Sequence, residues 1–531
     1  MAPVTEAVSG PEAGGSLQKL AKDGVLGLAG AAISAVLNVV LVLLVIRSAG
    51  KDGAGVVFAV TSLFLIASTV ARLGSPTGLV YFLVRARTAG RVDTLRQIVR
   101  TGLGPVVVAS LLVAGLMIVG APTLAGWIVP KEPDVALVPL RVLALLLPAA
   151  AISDTLLMGS RGFDVMRPLI LVERIGRSVG QVLLTGVAIL LGAKGATALT
   201  SAWALPYVVT AMIAVAWTVK LVHRAEHRGE GPAGQPAEER ADVGPLPGSG
   251  GGAQYWRFTA PRALQSVVQI ALQRLDVVLV AALRGPGDAA VYAAVTRFLV
   301  FGQLGAQAIT SAVQPRLGAQ LSVGDLAGAG RVYQVSTCWL VLLTWPVYLS
   351  LAVFSKQIPE LFGRGYGAGT AVLVVLACAM LVATGSGLVD VVLAMSGRTT
   401  WTLANSIMAL TVDVTLNLIL IPRIGILGAA VAWAGAIVAN NLVPLAQLGL
   451  AMHLHPFGRG TLLAMGTAAT WLAGVPVAAG LLASWTAPVL LAGMALGTVG
   501  YVLTLWRWRS VFELDALRGA GRRSPLVTVE P

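Results

Sequence analysis

The stretch that decides the fold is ALQSVVQIALQRLDVVLVAALRGPGDAAVYAAVTRFLVF, Ala263 to Phe301. It reads as two apolar segments joined by a short Arg-Gly-Pro-Gly-Asp turn, Arg284 to Asp288. Each segment is about long enough to cross a bilayer core, which takes roughly 20 residues at ~1.5 Å rise. Helix is the expected spanning structure, because in lipid each segment must satisfy its own backbone polar groups. Yet the first segment carries Arg274 and Asp276, and the second carries Arg297. A mid-membrane Arg or Asp costs roughly 2.5 to 3.5 kcal/mol on insertion scales, so it faces a protein interior or a wet cavity. The stretch describes a membrane protein that keeps charge at its centre.

Composition extends this reading to the whole chain. Of 531 residues 56% are hydrophobic and only 12% charged, with mean hydropathy +0.83, where a soluble chain carries about 25% charged residues. Apolar segments of spanning length fall at about 24–46, 55–76, 98–120, 135–158, 168–192 and 198–221. After a break they resume at about 261–283, 289–312, 333–354, 369–393, 401–421, 425–449, 461–483 and 487–506. The expectation is an all-α membrane protein of about 14 transmembrane helices. The net charge of +14 fits basic cytoplasmic loops; no Lys/Arg-rich run with interleaved aromatics points to nucleic acid. Met1 to Gly15 lacks the pattern of a signal peptide, so the first span is expected to direct its own insertion.

Alternate connections differ sharply in basic residues. One side holds 23 Lys and Arg, including Arg85, Arg87, Arg91, Arg96 and Arg100, while the other holds 8. The positive-inside rule places the richer side, and with it both termini, in the cytoplasm. The expected location is the cytoplasmic (inner) membrane.

The widest break, His223 to Ala253, is rich in Gly, Pro, Glu and Arg and cannot bury a core, so it reads as a flexible cytoplasmic linker. An internal repeat spans it. Gly50 to Thr61 (GKDGAGVVFAVT) aligns without a gap on Gly285 to Thr296 (GPGDAAVYAAVT), 235 positions later, and Asp154 before Arg161 matches Asp390 before Arg398 at an offset of 236. Six spans separate equivalent positions, so both copies share one orientation. The expected architecture is two pseudo-symmetric six-helix lobes with a central cleft, plus two C-terminal helices. In residues, this is a cytoplasmic N-terminal segment 1–23, an N-lobe 24–221, a linker 222–256, a C-lobe 257–450, two further spans in 451–508 and a cytoplasmic tail 509–531.

Asp276 with its following apolar run, the glycine turn and Val291 to Phe298 (VYAAVTRF) resemble the oligosaccharide flippase, or polysaccharide exporter, family. So do Phe362 to Tyr366 (FGRGY), Ser396 to Thr399 (SGRT), Leu416 to Pro422 followed by Gly425 to Ala430, and Ser16 to Leu28 with Lys22 and Gly24. This family is the polysaccharide transporter branch of the multidrug/oligosaccharidyl-lipid/polysaccharide exporter superfamily. The resemblance implies a transporter that moves a polyprenyl-diphosphate-linked glycan from the inner to the outer leaflet by alternating access. Its implied partners are that glycan lipid, membrane lipids, and a polysaccharide polymerase or glycosyltransferases. Lipid II flippases of the superfamily place diphosphate-binding arginines in the first, second and eighth helices. Here the eighth supplies Arg297, the first has Asn38 instead, and Arg72 lies at the cytoplasmic end of the second.

Arg274, Arg297 and Arg177 are the candidates for holding a diphosphate, since guanidinium forks form paired charge-assisted hydrogen bonds with phosphate. Against this, Arg274 could simply neutralise Asp276, although a spacing of two puts them on different helix faces. Asp276, Asp413, Asn417 and Glu173 are candidates for ion coupling or for cavity polarity, because a carboxylate in low dielectric can exchange a proton or hold a cation. Glu173 and Arg177 are four apart and suit an intrahelical pair; Asp413 and Asn417, also four apart, could equally be helix–helix glue. Asp154, Arg161, Asp390 and Arg398 are candidate cytoplasmic gate residues or plain interfacial ion pairs. Arg72 and Arg141, near helix ends, are expected to snorkel.

Cys338 and Cys378 lie in separate apolar segments, and the pairs His223/His227 and His453/His455 have no Cys or carboxylate company. No metal site and no cofactor is indicated. No Walker A or Gly-x-Ser-x-Gly motif occurs, so the chain is expected not to be an enzyme, and transport would draw on an ion gradient or on substrate mass action. Three other readings remain open, the first of them a lipid II flippase of the same superfamily. A cation-coupled drug exporter would want an anionic cavity, and a membrane scaffold for glycan-synthesis enzymes would need no buried charge. The orientation has a direct check. A cysteine placed at Pro236 should react with a membrane-impermeant maleimide only after the cells are opened; labelling in intact cells would reverse the topology.

Overall fold

The computed structural model describes residues 11–228, 252–363 and 365–514. Parts of the expected N-terminal segment, linker and tail, and Arg364 of the Phe362 to Tyr366 motif, lie outside the described residues. Every regular element among the described residues is a helix. Both ends of the expected linker are helical, through Pro206–Arg228 before it and Gly252–Arg284 after it.

Among the described residues, eleven helices are long and apolar enough to cross a membrane, or twelve if Pro286–Thr296 and Leu299–Ser322, bent by 40°, form one span. The expected fourteen differ from this count at two places. Leu26–Thr88 runs as one 63-residue stretch, although its backbone is non-helical at Gly50. The expected span at 168–192 is a nine-residue π-helix, Leu169–Arg177, followed by a 13-residue α-helix, Ser178–Leu190. Neither piece reaches spanning length alone. Leu116, Val119, Leu190, Leu450 and Leu482 project from the helices as exposed apolar side chains, as lipid-facing positions do.

The chain forms two compact units. The first comprises Met1–Ala49, Leu63–Trp127 and Lys131–Val267; the second comprises Gly50–Ser62, Ile128–Pro130 and Val268–Pro531. In the first unit Leu79, Phe82, Leu83, Ile98 and Tyr255 are buried together. The Tyr255 hydroxyl donates to the Ser75 carbonyl at 3.1 Å, which ties Ser75–Thr88 to the start of Gly252–Arg284.

In the second unit, Leu317, Tyr333, Val392, Leu393 and Leu448 form one core. Ala468, Leu472 and Tyr501 join Leu349 in another, so the last two spans, Arg459–Leu482 and Ala487–Arg507, dock on helix Leu326–Val353. The Tyr501 hydroxyl donates to the Leu342 carbonyl at 2.9 Å. This unit also holds the two aligned segments of the repeat, and their backbones agree. Gly50 (φ 71, ψ −174) and Gly285 (φ 96, ψ 165) both break the chain between helices in the positive-φ region, which glycine enters without a Cβ clash. Just beyond, the two segments pack on each other. A Cβ on Gly55 would land on the Pro286 carbonyl, and one on Gly287 would meet the Asp52 carboxylate. Asp288 pairs with Lys51 Nζ at 3.9 Å and with Arg284 Nε at 3.6 Å.

Because the obstacle at Gly55 is backbone, which cannot rotate away, Gly55→Leu should lower stability by about 1–3 kcal/mol, the usual range for overpacking. Gly115→Ala, where nothing lies within 4 Å of the added Cβ, should not. Thermal unfolding in detergent, followed by tryptophan fluorescence, distinguishes the two.

Candidate functional site

Within the second unit, three helices bring the polar residues of the opening stretch to one place. Gly252–Arg284 carries Gln273, Arg274 and Asp276. Pro286–Thr296 carries Tyr292 and Thr296, and Arg297 stands at the bend before Leu299–Ser322. Trp433 comes from Ile426–Met452. Together they line a cavity of about 70 Å³. Arg274 and Arg297 are near enough to repel one another. Among the described residues Arg297 makes no ion pair, and its Nε is buried without an acceptor. A ligand with several anionic oxygens can supply what this guanidinium lacks.

Asp276, on the same wall, is not the partner of Arg297. Its Oδ2 accepts from the Tyr292 hydroxyl at 2.7 Å and its Oδ1 from Asn417 Nδ2 at 2.9 Å. Asn417 Nδ2 also donates to the Asp413 carbonyl at 2.9 Å, so the i,i+4 pair on Thr399–Ile424 presents one face to Asp276. Asp413 lies beside Asp276. Among the described residues, both Asp413 carboxylate oxygens and Asn417 Oδ1 are buried and accept from no hydroxyl, amide or guanidinium. Two neighbouring carboxylates and an amide oxygen, buried together, lack positive charge among the described residues. A proton or a small hard cation, which prefers oxygen ligands, would complete them.

The first unit holds a second, half-buried network, built on the π-helix. Arg177 Nη1 donates to Asp154 Oδ1 at 2.7 Å, and Arg177 Nη2 to Glu173 Oε1 at 3.4 Å. Asp154 Oδ2 accepts from Arg72 Nη1 at 3.2 Å, and Arg72 Nη2 donates to Thr69 Oγ1 at 2.5 Å. The Arg177 guanidinium also sits over the Tyr207 ring, 4.8 Å from its centroid. Two cations and two anions balance.

Several placements differ from the expectations. Arg177 is committed to two carboxylates, rather than to the cavity with Arg274 and Arg297. Arg72 is drawn into an ion pair instead of snorkelling. Asp154 is held by Arg72 and Arg177, not by Arg161, whose Nη1 reaches only Met158 Sδ at 3.6 Å. Among the described residues Asp390 and Arg398 form no ion pair; Arg398 lies over the Trp401 ring at 4.7 Å. The sequence reading missed Tyr292, Tyr207 and Trp433. Tyr292 carried a signal, since it stands inside the quoted VYAAVTRF motif.

Residues 20–319, more than half of the chain, match the family model described as "Polysaccharide biosynthesis protein". The chain belongs to this polysaccharide biosynthesis protein family. Residues 261–419 of this family member also match the MatE model, so the resemblance carried by its motifs holds at the level of the exporter superfamily. No curated protein sequence matches it. Among solved structures it is similar to the lipid II flippase MurJ in an inward closed conformation, at 12% identity and TM-score 0.66, covering 92% of this chain and 99% of that one. It is also similar to an inward-facing multidrug resistance MATE family transporter, at 13% identity and TM-score 0.60, covering 85% and 98%. A third is the MATE multidrug transporter DinF-BH, at 17% identity and TM-score 0.58, covering 85% and 98%. At these identities the likeness is one of fold, and the fold is that of flippases and multidrug transporters.

Removing one partner of a buried ion pair strands the other, at about 3–5 kcal/mol. Asp154→Asn leaves Arg72 and Arg177 facing each other, and at 15–26% side-chain exposure the expected loss is about 3 kcal/mol. Asp390→Asn, which breaks no ion pair, should stay within about 0.5 kcal/mol. Apparent Tm in detergent is the readout.

Proposed function

We propose that this polysaccharide biosynthesis protein is a flippase. It moves a polyprenyl-diphosphate-linked oligosaccharide from the cytoplasmic to the outer leaflet of the cytoplasmic membrane by alternating access, for cell-surface polysaccharide. The observation that carries the reading is the Arg274/Arg297 pair on one buried cavity, with Arg297 unmatched by any carboxylate among the described residues. A diphosphate supplies matched acceptors and negative charge, and each charge-assisted hydrogen bond contributes about 1.5–3 kcal/mol. At about 70 Å³ the cavity is small beside the ~300–1,000 Å³ of ordinary ligand pockets. It suits a phosphate and not a glycan, so the loaded state must be wider. Asp276, Asp413, Asn417 and Tyr292 serve as the coupling site, where a proton or monovalent cation enters and leaves during the cycle. Delivery of the glycan lipid by glycosyltransferases, and its use by a polymerase, complete the role.

A cation-coupled drug exporter of the same superfamily is the runner-up, favoured by the MatE match over 261–419. It would place a cationic ligand against Arg274 and Arg297, where like charges repel.

Proteoliposomes loaded with labelled polyprenyl-diphosphate oligosaccharide test the proposal. Wild type should translocate it. Arg297→Ala and Arg274→Ala should each slow translocation about tenfold or more, the effect of losing one charge-assisted hydrogen bond. Asp413→Asn should remove any acceleration by an imposed sodium or proton gradient. Wild-type protein that moves no such lipid but exports a cationic dye would sink the proposal.

A further inference from the structure

The first unit holds a second cavity, of about 750 Å³, that the transport reading does not use. Three arginines line it, Arg85, Arg161 and Arg262, and no acidic residue does among the described residues that line it. Two of the arginines belong to an aromatic wall. Arg262 lies over the Phe258 ring at 3.6 Å and donates from Nη1 to the Phe258 carbonyl at 2.7 Å. Phe258 stacks on Tyr81 at 4.1 Å between centroids, with the planes 20° apart. Arg85 caps the far end, 5.8 Å from the Tyr81 centroid, with Nη1 3.5 Å from the Tyr81 hydroxyl. Stacking on Phe258 holds the Arg262 guanidinium in place, and its bond to the Phe258 carbonyl leaves other N–H groups to donate. Arg161 arrives from the turn after Asp134–Gly159. The rest of the lining includes Val80, Val84 and Met158, which offer hydrocarbon rather than hydrogen bonds.

This is a cationic rim on an apolar pocket, at the arginine-rich end of the helices. Free inorganic phosphate would use the rim and leave the apolar wall wet. The groove is open, with Tyr81, Val84, Arg161 and Arg262 exposed; a nucleic acid would use the arginines and leave Val80, Val84 and Met158 without a partner. An amphiphile with a phosphate head and a hydrocarbon body uses both halves, and the volume lies within the ~300–1,000 Å³ range of ligand pockets. We propose that this cavity is a resident binding site for a membrane lipid with a phosphate headgroup. Arg161 and Arg262 grip the phosphate, and Tyr81, Val84 and Phe258 bed the first part of the chain. The proposal does not depend on the transported substrate. The headgroup could belong to an anionic bilayer phospholipid or to a polyprenyl diphosphate, since the recognition chemistry is shared.

Native mass spectrometry of delipidated protein, titrated separately with phosphatidylglycerol, phosphatidylcholine, undecaprenyl diphosphate and inorganic pyrophosphate, tests it. At least one of the two anionic lipids should bind tighter than phosphatidylcholine, and its affinity should fall as salt rises. Arg161→Ala/Arg262→Ala should weaken that binding at least tenfold. Val84→Trp, which fills the pocket and keeps every charge, should do the same, so the answer does not rest on the arginine variant alone. Undecaprenyl diphosphate and pyrophosphate binding is scored in an Arg274→Ala/Arg297→Ala background, so that the Arg274/Arg297 cavity does not contribute and this site alone is read. Preference for phosphatidylglycerol makes the occupant a bilayer lipid, and preference for undecaprenyl diphosphate makes it a polyprenyl carrier; either upholds the site. Affinity within twofold of wild type in both pocket variants, or inorganic pyrophosphate binding as tightly as the lipids, overturns it.

Discussion

A charge held within a bilayer has to be paired, shared or wetted, and the interior of this protein is arranged around that constraint. Among the charged residues of the helices, Arg72, Asp154, Glu173 and Arg177 form one network, Asp276 and Asp413 lie in a second, and Arg274 and Arg297 line a cavity. In the first unit the constraint is met by neutralisation: Arg72, Asp154, Arg177 and Glu173 alternate in sign and share hydrogen bonds of 2.7–3.4 Å. The π-helix Leu169–Arg177 belongs to this solution. Its wider turn carries Glu173 and Arg177, and π segments recur where a helix must present functional side chains.

The second unit meets the same constraint incompletely, and that is where chemistry becomes available. Tyr292 and Asn417 satisfy Asp276, but the oxygens of Asp413 lack donors. Arg297, which lines the same cavity as Asp276, has a guanidinium with no carboxylate partner among the described residues. Asp276 and Arg297 line one cavity without forming an ion pair among the described residues, because the Asp276 oxygens accept from Tyr292 and Asn417 instead. A network that is only partly satisfied is costly in low dielectric. Its persistence in this chain points to ligands that complete it: a small cation or proton for the carboxylates, and an anion for the arginine.

Much of the architecture was legible in the sequence because apolar length and glycine turns are local signals. The fit of Gly50 to Gly285 is an example, since the aligned glycines adopt the same positive-φ break. Asp413 and Asn417 were legible as one helix face for the same reason. Ion-pair partners were not. Arg72 and Asp154 are 82 positions apart and Asn417 and Asp276 are 141 apart, and nothing in composition or periodicity links them. Proximity along the chain misled at Asp154, where nearby Arg161 points elsewhere and Arg177 supplies the contact. The π-helix was illegible too, because its residues carry the same apolar pattern as an α-helical span.

Whether the buried arginines select an anionic lipid head is tested most directly by equilibrium binding to purified wild-type protein, comparing polyprenyl diphosphate, polyprenyl monophosphate and a lipophilic cationic dye. An Arg297 guanidinium with a buried Nε and no carboxylate partner among the described residues predicts diphosphate tightest, monophosphate weaker, and the dye weakest, with the order compressed as salt rises. Dye binding tighter than either phosphate lipid would contradict it.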